Sequence, residues 1–223
     1  MFVNDLLHGE LVLETAGELQ GGKKIWLLAV LPKKFHIVDD FVEPYLLFTN
    51  SFSGEQSIKC CMTPIRVSCS NSLNLALKTC RRSWSFPHVG EIHSRLQEAR
   101  ATLNLANEYM NKLTTEAESL NKKILPDHKV LEFIEELIPV DESLGSVHRK
   151  NVEELRSHLY YRYTDAPDLA NLPKSAYRLI NSISDTATHA VTRKSNNFQG
   201  NIFAKTVEGN PLIDKAYEML LCI

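Results

Sequence analysis

The chain has 223 residues, 43% of them hydrophobic and 23% charged, with a net charge of −2; this composition belongs to a globular protein and excludes a disordered or collagen-like chain. No apolar run reaches the roughly 20 residues of a membrane span, and the N-terminus lacks the basic start and apolar stretch of a secretory signal, so a cytoplasmic protein is expected. Charge is uneven: residues 20–100 hold 11 Lys/Arg against 6 Asp/Glu, whereas residues 101–223 hold 14 against 17, a basic front that permits anion binding without demanding it.

The first predicted unit is a β-hairpin, Glu10 to Leu19 and Lys24 to Leu31, joined at Gln20-Gly21-Gly22-Lys23, where glycine supplies the positive φ of a tight turn. A second hairpin pairs Tyr45 to Thr49 with Ser57 to Cys69 around a turn at Asn50 to Gly54; Pro64 should place that return strand at an edge or a bulge. Asn71 to Thr79 reads as a short helix and Trp84 to Phe86 as a short strand. From Glu91 to Leu125, the residues Ile92, Leu96, Ala99, Leu103, Ala106, Met110, Leu113, Ala117, Leu120 and Ile124 recur at alternating steps of four and three. That seam describes one helix of about 50 Å. It serves either a coiled-coil homo-oligomer or, as the simpler reading, packing on later helices of the same chain. Those helices are predicted at His128 to Ile138 with Asp127 as cap, Ser146 to Tyr163, Lys174 to Arg193, and Pro211 to Leu221. The fold class is therefore α+β: antiparallel hairpins form a small sheet (residues 1–90), and a long helix and helical bundle (residues 91–223) pack on it as one continuous domain.

Catalytic signatures are missing: there is no Gly-x-Ser-x-Gly, no phosphate loop and no His-Glu-x-x-His. A non-enzyme without cofactor is expected. The five cysteines, with Cys60 and Cys61 adjacent, lack metal-ligand spacing and read as reduced, mostly buried thiols. Cations and aromatics alternate from Arg81 and Arg82 through Trp84 to His88, and Arg66 interrupts an apolar strand. Such mixtures suit single-stranded nucleic acid, with cations on phosphates and rings on bases. Arg66, Asn71, Lys78, Arg81, Arg82, Trp84 and His88 form this candidate set; the alternative is that the aromatics are core and the arginines surface. A polar ridge, Tyr177, Asn181, Asp185 and His189, runs at i+4 steps opposite the apolar side of its helix. Its simpler reading is a solvated face. The alternatives are a ligand or partner surface, or a metal held by Asp185 and His189.

Three stretches, Leu13 to Pro32, Pro44 to Leu77 and His88 to Arg100, together with the Asn181 to His189 segment and Gly209-Asn210-Pro211 before Lys215-Ala216-Tyr217, resemble the phage/plasmid-like proteins of domain of unknown function 932. The resemblance implies a mobile-element protein of no agreed biochemical activity. It also implies that longer relatives carry a region ahead of the first hairpin that this chain lacks. The order of hairpins and helix resembles single-strand annealing proteins, by fold-level analogy alone. The expected function is non-enzymatic nucleic-acid binding, with single-stranded DNA as partner, in recombination or replication. The alternative is a counter-defence or regulatory protein that binds and inhibits a host protein.

Overall fold

The computed structural model describes residues 11–19, 21–52, 58–66, 77, 82–86, 92–141, 143, 145–189 and 209–223, without the side chains of 66, 86, 92–100 and 189. Six strands form one antiparallel sheet: β1 Val12–Leu19, β2 Lys24–Val30, β3 Phe35–Ile37, β4 Asp40–Ser51, β5 Ile58–Arg66 and β6 Ser83–Phe86. Their order is β1-β2-β4-β5-β6, with β3 pairing the start of β4. Gly21 and Gly22 take φ of +64° and +84° in the first hairpin turn, as a left-handed bend requires. The short β3 was not foreseen. It pairs Ile37 with Asp40 across a two-residue turn that forces Val38 to φ +58°, a costly conformation for a β-branched residue. Its side chain packs against the core, which helps to hold it there.

Pro64 lies at a local edge, as expected, and not at a bulge: it is buried in β5 and registers with Pro44 of β4 without a shift in the ladder, while among the described residues β6 pairs only with Ile58 to Cys61, so no described strand pairs with Pro64 on its other side. The Pro44 carbonyl accepts from Leu31 N at 2.9 Å, so its polar groups point away from β5. The two prolines therefore face each other at a non-hydrogen-bonded position, and neither removes a β4–β5 ladder bond.

The helices are α1 Ile92–Lys122, α2 Asp127–Leu137, α3 Ser146–Asp165, α4 Ala176–His189 and α5 Pro211–Leu221, with a short 3-10 turn at Pro167–Leu169. The predicted helix at Asn71 to Thr79 lies outside the described residues except for Leu77. The α1 seam is used within the chain: Ala106, Met110, Leu113, Ala117 and Leu120 are buried, and α1 lies between the sheet and α4. One core cluster joins Leu46, Phe48 and Met62 of the sheet to Tyr109, Met110 and Leu113 of α1 and to Tyr177, Leu179 and Ile180 of α4. No helix among the described residues is long and apolar enough to cross a membrane.

Asp127 does not cap α2. Pro126 holds that position, and no side-chain cap bond is made; Asp127 instead pairs with Lys174 at 2.7 Å. Side-chain caps are made at Ser175, whose hydroxyl accepts from Arg178 N at the entrance to α4, and at Asn210, whose Oδ1 accepts from Leu212 N at the start of α5. Cations from neighbouring elements close the helix C-termini. Lys215 Nζ donates to the carbonyls of Glu136 and Leu137, Arg156 to those of Ile138 and Glu135, and Lys123 to that of Leu220. Each places positive charge where unsatisfied carbonyls gather.

Candidate functional site

Of the predicted nucleic-acid set, Asn71, Lys78, Arg81 and His88 lie outside the described residues. Arg66 closes β5 in register with Val42, but its side chain is not described. Arg82 and Trp84 are described, and both are engaged. Arg82 Nη1 donates to the Met62 carbonyl at 3.2 Å, tying β6 to β5. The Trp84 indole is half-buried against the core and donates from Nε1 to Thr102 Oγ1 of α1 at 3.1 Å. Trp84 is thus a join between sheet and helix, a correction to its expected place as an open stacking ring. Trp84→Phe should remove that bond at a cost of about 1 kcal/mol, read as a lowered urea midpoint with unchanged slope.

The ladder registers divide the sheet into two faces. Ala29, Leu46 and Met62 form one row across β2, β4 and β5; Leu27, Phe48, Cys60 and Trp84 form the next. These residues join the core beneath α1. On the opposite face, one row crosses five strands: Gly17, Trp26, Thr49, Lys59 and Ser85. None of these five is buried. Trp26 lies over Gly17, so close that a Cβ there would meet the indole at 2.6 Å; the glycine is what lets the ring lie on β1. Lys24 and Lys59 flank this ring on the same face, and neither is ion-paired among the described residues. In the adjoining row Leu47 and Cys61 are buried while Leu28 is half-buried. Sequence reasoning missed Trp26 as a site residue. The signal was present, because folding the first hairpin about Gly21-Gly22 sets Trp26 opposite Gly17.

The polar ridge on α4 is not a solvated face, which corrects that expectation. Tyr177 and Asn181 are fully buried, and so are Ser182 and Ser184. The helix stands amid α1, α3 and α5, so both its apolar and polar sides are enclosed. Its polar side chains bond back to their own helix: Asn181 Nδ2 to Tyr177 O at 2.8 Å, Ser182 Oγ to Arg178 O at 3.0 Å, and Thr188 Oγ1 to Ser184 O at 2.7 Å. That local bonding permits burial. Asp185 pairs with Arg162 at 2.8 Å, and Arg162 also holds Asp168 at 2.9 Å. The His189 side chain lies outside the described residues. Among the described residues no cluster of three or more metal-ligating side chains occurs.

Two thiols and a phenol are shifted away from reactivity. Burial pushes Cys60 well above the usual thiol range and also raises Cys61. Both stay protonated near neutral pH and are poor nucleophiles. Burial, with Glu43 nearby, raises Tyr45 to about 12. Cys222, by contrast, is exposed.

No curated protein and no solved structure matches the chain. The match is to a family model, which covers residues 1–206 and so takes in the whole sheet and α1 to α4. By that span the chain belongs to the family described as Domain of unknown function (DUF932).

Proposed function

We propose that this chain is a non-enzymatic nucleic-acid-binding protein of a mobile element, that it takes single-stranded DNA, and that the open sheet face is its platform. One observation carries the reading: the unburied row Gly17–Trp26–Thr49–Lys59–Ser85, with Lys24 beside it. A flat ring on a strand offers a base a stacking partner worth about 1–3 kcal/mol, and flanking lysines neutralise phosphates. A single strand exposes bases to such a ring, whereas a duplex keeps them stacked. The test is anisotropy of a fluorescent oligonucleotide, single- or double-stranded, titrated at low and moderate salt. Single-stranded DNA should bind more tightly. Trp26→Ala should weaken it about tenfold, and joint Lys24→Glu and Lys59→Glu should reduce the salt slope by about 1.4, at roughly 0.7 per phosphate contact. Absence of binding at micromolar protein in low salt sinks the proposal.

A second reading, a regulatory or counter-defence protein that binds a host protein, is favoured by a different observation. The helical half carries a half-open groove between α2 and α3, remote in sequence from the sheet.

A further inference from the structure

The groove between α2 and α3 has a volume of about 300 Å³. The loop between these two helices is short, so they run side by side in opposite directions. The α2 wall is Leu131 and Ile134, and the α3 wall is Tyr160 and Tyr161. Leu131 is 44% and Tyr161 55% exposed, large apolar surfaces left at the mouth of a concave site. Along α3 the lining runs from Arg156 to Asp165, about 14 Å at 1.5 Å per residue, or between two and three helical turns.

Charge decides what fits. Among the described lining residues Arg156 is the only cation, and its guanidinium is turned onto the α2 C-terminus, donating to Ile138 O at 2.9 Å and Glu135 O at 3.2 Å. That leaves two exposed carboxylates, Glu135 on α2 and Asp165 at the end of α3. They stand toward opposite ends of an apolar trough. A polynucleotide would meet them with like charge, and a neutral apolar strand would leave them without a counter-charge, Asp165 accepting only from the Thr164 hydroxyl among the described residues.

We infer that this groove docks a short amphipathic helix of a partner protein, its apolar stripe seated between Leu131 and Tyr161 and its flanking Lys or Arg residues set on Glu135 and Asp165. Apolar anchors one turn apart span the trough, as in other helix-in-groove pairings, while the carboxylates set preference more than strength. This deepens the host-protein reading and is independent of the DNA reading.

The test uses the full chain and two fluorescent peptides of about 14 residues, each with leucines at helical spacing. One carries Lys at both ends, and its twin carries Glu at the same positions. The Lys peptide should bind saturably and at least about tenfold more tightly than its twin. Leu131→Asp and, separately, Tyr161→Ala should each weaken it about tenfold, with far-UV dichroism and unfolding midpoint unchanged because both side chains are half-exposed. Joint Glu135→Lys and Asp165→Lys should reverse the preference toward the Glu peptide. The inference is overturned if neither peptide saturates up to about 100 μM, or if binding ignores the Leu131 and Tyr161 changes. It is also overturned if sedimentation shows a dimer that Leu131→Asp disperses, which would make a second copy the occupant. Oligonucleotide binding should be unchanged in the same variants, since those residues lie off the sheet; its loss would put nucleic acid in the groove and overturn the inference.

Discussion

Arg178→Ala should lower stability by about 3–5 kcal/mol, the largest single-site loss expected in the molecule. Arg178 is 6% exposed and spends its guanidinium on three carbonyls: Nε on Tyr163 O, Nη2 on Thr164 O at 3.0 Å, and Nη1 on Leu172 O at 2.8 Å. Two of these belong to the last turn of α3, where helix carbonyls have no partner of their own. The charge also offsets the negative end of that helix and sits 5.7 Å from the Tyr163 ring centre. Truncation leaves three buried acceptors, each worth about 1–3 kcal/mol when orphaned, although water entering the vacated space recovers part. Urea unfolding measures the loss. Arg149→Ala, at an exposed position of α3, should stay within about 0.5 kcal/mol. An equally small effect of Arg178→Ala would show that the α3 terminus does not depend on it.

Gly17→Val is the second large effect, and it reports on the sheet face. A Cβ at Gly17 would lie 2.6 Å from Trp26 Cζ2 and 2.9 Å from Nε1, distances no side chain tolerates, so the indole must leave β1. Overpacking of this kind costs about 1–3 kcal/mol, against which the better strand propensity of valine returns up to about 1 kcal/mol. The chain has two tryptophans, and in a Trp84→Phe background the emission belongs to Trp26 alone. It should move to longer wavelength as the ring enters water. If the proposed function is right, oligonucleotide affinity falls with it. An unmoved spectrum would place Trp26 elsewhere.

How far the sequence carried differs between the two halves. The α1 seam was legible because its alternation of four and three runs through ten positions without interruption, and a helix that long has one consistent side. The glycine pair of the first hairpin was legible because positive φ narrows the choice of residue. The edge position of Pro64 was legible because proline lacks a ladder donor, whereas which way its missing N–H points is decided only by the register with Pro44. The α4 ridge was misread. Tyr177 and Asn181 alternate with apolar residues as on a surface helix, but enclosure by α1, α3 and α5 is a property of the bundle.

By itself, then, the amino-acid order determined the α+β class, five of the six strands, the five helices to within a few residues, and the family. Each rests on local periodicity, turn chemistry or a contiguous stretch of residues. Tertiary structure alone decided which cations are already committed to helix ends, which aromatic ring lies half-buried across the outer face of the sheet, and which polar side chains are buried. Those outcomes depend on contacts between residues far apart in the chain, Arg178 with Tyr163 and Lys123 with Leu220 among them, and no local pattern encodes the distance between two elements that have yet to meet.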